Sequence, residues 1–151
     1  MRNEENAMRN LDIERANQAL NAILETELAG VVRYMHYSFM IFGHARIPIV
    51  NWMREQADES LLHAAAAGEF VTGLGGHPSL SIGKLLETRH HDIDQILREA
   101  LEHETEGLAR YRELLEIARD ASVSLEEYAR KMIASEEMHV SEVGKMLRRV
   151  D

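Results

Sequence analysis

Ten residues beginning at Glu25 return 77 positions later in almost the same form. The first copy is Glu25-Thr26-Glu27-Leu28-Ala29-Gly30-Val31-Val32-Arg33-Tyr34. The second is Glu102-His103-Glu104-Thr105-Glu106-Gly107-Leu108-Ala109-Arg110-Tyr111, and both read E-x-E-x-x-G-x-x-R-Y. The same offset carries Ala57 to Ala134 and Glu59 to Glu136, while His63 and His139 fall one residue short of register. A repeat of this length means that the chain is built from two similar units. Each unit supplies one glutamate and, 32 residues later, a second glutamate with a histidine about one turn on.

The units are helical hairpins. Only Pro48 and Pro78 interrupt 151 residues rich in Leu, Ala, Glu, Arg and Met, and aromatics are 5%. Apolar periodicity predicts helices over about 11–43, 49–74, 84–121 and 124–149. Gly43 and Pro48 end the first, and Gly73, Gly75, Gly76 and Pro78 end the second. Ser124 followed by Glu127 reads as a capping box opening the fourth. The expectation is an all-α four-helix bundle, residues 11–151, behind a polar extension of residues 1–10. One long crossover, from Gly75 to about Lys84, joins helices 2 and 3.

Helical geometry places the repeated glutamates on apolar stripes. Glu104 shares its face with Leu97, Leu101, Leu108 and Tyr111, and Glu27 with Leu20, Ile23, Val31 and Tyr34. Glu136 falls with Met132, Ile133, Val140 and Val143, and Glu59 with Leu62, Ala66 and Phe70. Four carboxylates facing one core need compensating charge. Two divalent cations supply it, and His63 and His139 complete the donor set. One Glu from each of two helices, with a Glu-His pair from each of the other two, is the carboxylate-bridged two-metal pattern. Carboxylate and imidazole without thiolate suit iron or manganese, and zinc also binds such donors.

Other Glu–His spacings have a plainer reading. Glu87 with His90 and Glu99 with His103 read as a solvated helix face. His36 could approach the centre but reads rather as a surface or interface histidine, His44 has a similarly weak case, His77 sits in the Gly-rich turn, and the pair His90-His91 reads either as solvated or as catching metal at a surface. A solvated face does not explain Gly30 and Gly107, because glycine inside a helix costs about 1 kcal/mol relative to alanine. They would permit close helix approach or leave room for a small oxidant. Tyr34 and Tyr111 read either as core packing or as phenols hydrogen-bonded to a carboxylate of the opposite half.

Composition removes several classes. The absence of cysteine excludes disulfides, thiolate zinc sites and thiol redox chemistry. A net charge of −9 opposes nucleic-acid binding and suits small cations. The most apolar stretch, residues 31–50, is interrupted by Arg33, His36, His44 and Arg46, so no membrane span is expected. The N-terminus lacks the apolar run of a signal peptide. A soluble cytoplasmic protein is the expectation.

With these residues in place, the sequence resembles the bacterioferritins of the ferritin-like superfamily. The matching pieces are Glu27 with Tyr34, Glu55-Gln56-Ala57-Asp58-Glu59, the Gly75–Pro78 turn, Glu104 with Gly107, and Glu136-Glu137-Met138-His139. The resemblance implies a di-iron ferroxidase that oxidises Fe2+ with O2 or H2O2, for iron storage or detoxification. It implies Glu59 and Glu136 as bridging carboxylates, Glu27 and Glu104 as terminal ones, and His63 and His139 as nitrogen ligands. Three departures stand out. Glu59 and His63 are one residue further apart than Glu136 and His139, which a π-bulge would absorb, or else Ser60 takes the glutamate's place. The haem-ligand methionine after that glutamate is replaced by Ser60, or by Leu61 in the other register, so no haem is expected. Only 12 residues follow His139, too few for the fifth helix of 24-subunit shells, so a homo-oligomer is expected, either a 12-subunit shell or a smaller assembly. The paired Glu-x6-Tyr also resembles the erythrin branch, which implies a peroxide-reducing enzyme served by a separate electron donor. A non-catalytic, metal-stabilised shell or scaffold protein is the third reading.

Overall fold

A computed structural model describes residues 10–150. Of the polar extension only Asn10 falls within them. Among the described residues the secondary structure is helical, in four elements: α1 (Ile13–Met40), α2 (Arg46–Gly73), α3 (Ile93–Ala118) and α4 (Val123–Leu147). No further helix follows α4 among these residues, and none of the four is long and apolar enough to cross a membrane.

The helices pack as two hairpins, α1 on α2 and α3 on α4, and α1 also lies against α3. Three helices start at side-chain caps that accept an otherwise unpaired backbone N–H. Asp12 accepts from Arg15, Asp92 from Gln95 and Ser122 from Leu125. Ser122, not Ser124, is therefore the cap of α4. Glu126 rather than Glu127 reaches back, accepting from the backbone N–H of Asp120 at 3.3 Å.

The crossover is longer than the periodicity suggested. It runs from Leu74 to Asp92, and residues 84–92 are not helical. The reason is reach. At 28 residues α1 is about 42 Å long, while the ten residues from 75 to 84 extend at most about 36 Å. The crossover lies along α1, held by Asn21 on His77 O and Ser79 N, by Gly83 N on Glu25 O, and by His91 Nδ1 on Met40 O.

The core divides in two. One apolar cluster contains Leu20, Ile23, Leu24, Val71, Tyr111, Leu114, Leu125 and Met132. The other contains Tyr34, Ile41, Val50, Met53, Ile96, Leu97 and Val143. In sequence, positions 27, 63, 104 and 136 fall at the changeover between the two on every helix, so a polar layer interrupts the core midway.

Candidate metal centre

The structure brings all six predicted donors into that layer. Glu27, Glu104 and Glu136 are buried, at 6%, 6% and 3% exposure. His63 Nδ1 lies 3.5 Å from Glu27 Oε2 and 3.9 Å from Glu136 Oε1. His139 Nδ1 lies 3.8 Å from Glu104 Oε2. Two groups have one donor atom each within 4.8 Å of one another: Glu27, His63 and Glu136, and Glu104, Glu136 and His139. Either could hold a cation. Glu136 belongs to both, so its carboxylate lies between two adjacent positions.

Glu59 occupies the opposite edge. Its side chain is 37% exposed, so it borders the core rather than facing it. Oε1 stands 3.8 Å from His63 Nε2, and Oε2 stands 3.3 Å from His139 Nε2. The stripe read for this helix needs correction, because Leu62 is 71% exposed and the buried face is Val50, Met53, Ala57, Ser60, Ala64, Ala67 and Val71. There is no π-bulge either: α2 is α-helical throughout, and Glu59 and His63 meet at ordinary i,i+4 spacing. Ser60 is buried and turned toward α1, where a Cβ built on Gly30 would come within 3.0 Å of its Oγ.

Each tyrosine serves the other hairpin. Tyr34 OH, on α1, donates to Glu104 Oε1 on α3. Tyr111 OH, on α3, donates to Glu27 Oε1 on α1 at 3.0 Å. In both cases the phenol occupies Oε1 and leaves Oε2 facing the histidine of the glutamate's own half. Burial, and then the adjacent carboxylate, raises both phenol pKa values, so Tyr34 and Tyr111 stay protonated donors.

The carboxylates cannot all carry charge here. Burial pushes the Glu136 carboxyl far up, helped by its hydrogen bond with Glu104 and by the charges of Glu104, Glu27 and Glu59. Burial also disfavours charge on Glu104, but the neighbouring Glu136 and His139 and the hydrogen bond from Tyr34 outweigh it and hold its carboxyl low. The Glu104 carboxylate, 3.8 Å from its Nδ1, raises the His139 pKa. Glu136 Oε2 is buried without a hydrogen-bond partner. An unpartnered buried oxygen among three other carboxylates is what a cation would satisfy, so the donors present fit a metal pair.

Glu99 and His103 correct another expectation. They are 5% and 8% exposed, not a solvated face. Arg33, also buried, donates to Tyr37 OH at 2.9 Å and lies 3.4 Å from His103 Nδ1. Burial, and then the Arg33 charge, lowers the His103 pKa, which keeps that ring neutral. The arginine inside the repeated block was the available signal for this network. Gly30 and Gly107 differ as well. A Cβ on Gly30 would meet His103 Nε2 at 2.9 Å, whereas a Cβ on Gly107 would meet nothing within 4 Å.

Comparison with known proteins agrees with this architecture. No curated protein matches the sequence. Among solved structures, a ferritin-like, diiron-carboxylate protein from Bacillus anthracis str. Ames superposes with a TM-score of 0.86 at 24% identity, covering 91% of this chain and 98% of that one. The bacterioferritin-related protein of Bacteroides fragilis, a dodecameric thioferritin, gives 0.86 at 20% identity, with coverage of 97% and 93%. Dps from Thermosynechococcus elongatus gives 0.84 at 15% identity, with coverage of 91% and 93%. The model of the ferritin-like domain matches residues 17–151, and the chain belongs to that family.

Proposed function

We propose that the chain is a ferroxidase that takes two ferrous ions as substrate between its four helices. The observation that carries this reading is Glu136, whose carboxylate is common to both three-donor groups. Glu27 and His63 would hold one ion with Glu136, and Glu104 and His139 the other. Glu59 would reach both from its half-exposed position, since its two oxygens already face His63 and His139. Together the two ions would supply two electrons to dioxygen, which with two protons gives hydrogen peroxide, or to hydrogen peroxide, which with two protons gives two waters.

The protein's part is positioning and proton control. Glu136 gives up its proton when the ions arrive, because its orphaned oxygen is needed as a donor. Tyr34 and Tyr111 keep theirs and fix the orientation of Glu104 and Glu27. The open space beside Gly107, one turn from Glu104, favours a small oxidant. We expect the chain to act in the cytoplasm as a homo-oligomer, and a twelve-subunit shell like that of the Bacteroides fragilis relative is the assembly to look for by light scattering.

The direct test is stopped-flow oxidation of Fe2+ by O2 or H2O2, alongside metal analysis of the loaded protein. Wild type should bind two equivalents per chain at the centre and oxidise them quickly. Glu136→Ala should lose both the paired stoichiometry and the fast phase. Unchanged kinetics in Glu136→Ala would remove the assignment.

A further inference from the structure

Two reactants must reach the centre, and they differ in charge. Glu59, half-exposed between His63 and His139, gives Fe2+ an acidic approach between α2 and α4. Dioxygen and hydrogen peroxide are neutral and gain nothing from that field. A cavity of about 270 Å3 lies elsewhere, its lining drawn from α1, the crossover and α3. That space suffices for a molecule of two oxygen atoms, since an apolar cavity of about 150 Å3 holds benzene. Ala22, Ala29 and Gly83 each contribute at most a methyl group to its wall. Its charges balance, Glu25 and Glu106 against Lys84 and Arg110, and Arg110 pairs with Glu106 at 3.7 Å. Thr26 and His103 complete the lining. The wall therefore offers donors and acceptors with no net charge to hold an ion.

One side chain joins this cavity to the centre. His103 lines the cavity, and its ring also stands edge-on to Tyr34 at 6.2 Å, the phenol that donates to Glu104. Arg33 can only donate, so its approach to Nδ1 at 3.4 Å makes that nitrogen the acceptor and leaves the ring hydrogen on Nε2. An N–H so placed offers an oxygen atom a hydrogen bond without adding charge. The sequence repeat sets two glycines beside this ring. Viewed down α3, Gly107 lies between His103 on the cavity and Glu104 in the centre. Down α1, Gly30 lies in the same way between Thr26 and Glu27. The space beside Gly30 is taken by His103 Nε2 and Ser60 Oγ, while the space beside Gly107 is free.

We infer that this cavity is the port through which a small neutral oxidant, O2 or H2O2, reaches the centre, past His103 and the open space beside Gly107, while Fe2+ arrives by way of Glu59. The inference rests on the ferroxidase reading and adds to it a separate path for the second substrate. Separate approaches let the oxidant arrive while iron occupies the acidic rim. The alternative is a packing gap beneath the crossover, and filling such a gap would leave the kinetics of the centre unchanged.

That difference sets the test. Thr26→Phe fills the cavity and Gly107→Val fills the passage, and neither touches the six donors. Thr26 Oγ1 bonds Ala22 O within its own helix and Gly107 has free space, so both variants should fold, which melting curves check. Anaerobic calorimetry should give the same Fe2+ binding in the full chain and in both variants. Nitric oxide, an uncharged diatomic that colours ferrous iron, is then mixed with each loaded protein by stopped flow. Its association rate should fall on the order of 10-fold in each variant, within the range that substitutions give to on-rates. Oxidation by O2 and by H2O2, run separately, should slow by a similar factor for the oxidant that uses the port, and slowing with only one of them names it. Wild-type nitric oxide rates in both folded variants would overturn the inference. A wild-type chain that binds Fe2+ and nitric oxide but oxidises no iron would remove the ferroxidase reading instead, and the nitric oxide rates would still decide whether this cavity is the way in.

Discussion

The two hairpins begin from nearly the same residues and finish in different environments. In the second, Glu136 is buried, lies in both three-donor groups and has its pKa pushed far up by burial and neighbouring carboxylates. In the first, its counterpart Glu59 has a side chain 37% exposed and reaches the same two histidines from the rim. The extra residue before His63 lets an imidazole on α2 reach inward while the glutamate stays outside. Gly30 is packed against His103 and Ser60, and Gly107 has free space. A duplicated sequence has therefore given one carboxylate that is buried inside the core and one that remains in contact with water. Duplication supplies the donor count, and packing decides what each donor does.

The largest effect that can break this comparison is removal of each carboxylate in turn. Glu136→Ala should slow ferrous oxidation by more than about 100-fold, above the range seen when a ligand's supporting partner is lost. Glu59→Ala should cost less, about 10-fold, because water can take the place of a rim ligand. Equal losses in stopped-flow assays would show that burial does not separate the two roles.

The crossed phenols give the next effect. Tyr34→Phe and Tyr111→Phe should each weaken metal binding on the order of 10-fold by titration, since each removes the hydrogen bond orienting one carboxylate. Similar losses would mean that the halves are equivalent at this level although their glutamates are not.

A pH series sharpens the contrast further. Glu136 has a folded-state pKa raised above the ordinary 4.5. Its contribution to stability is thus fully present below that value and is lost as pH rises. In urea denaturation, chelator-treated protein should lose up to about 1.4 kcal/mol per pH unit from this group above pH ~5. Glu136→Gln, which cannot ionise, should lack that part of the slope. Glu104 has the opposite sign: its lowered pKa gives stability present above 4.5 and lost as pH falls below it.

The smallest effect concerns the glycines. Gly107→Ala should stabilise the protein by roughly 0.5–1 kcal/mol, the helix-propensity gain in free space. Gly30→Ala should instead destabilise by about 1–2 kcal/mol, because a methyl group within 2.9 Å of the His103 ring exceeds that gain. Thermal and urea midpoints measure both.

Much of this was legible in the chain. The offset of 77 identified the donors because helical periodicity fixes which face a residue occupies, and the Glu-Gly-Arg-Tyr block marked positions where ordinary surface would not repeat. The pattern places the start of α3 too early because Lys84–Glu87 carries no helix breaker, and only the length of α1 dictates that the chain stay extended. The burial of Glu99 and His103 is not legible in the sequence pattern because they lie off the apolar stripe of α3. What covers them is the crossover and Arg33, partners remote in sequence. Local pattern reports a helix's face toward its bundle, not what a loop lays over its back.

The exchange of tyrosine hydrogen bonds between hairpins has one last consequence. Tyr34 reaches Glu104 and Tyr111 reaches Glu27, so neither half can orient its own terminal carboxylate. A chain cut within residues 74–92 would yield two fragments, each with half a donor set and a phenol aimed at the missing half. Metal uptake by the mixture would then count reassembled molecules. The centre would act as an optical reporter of whether the two fragments had found each other.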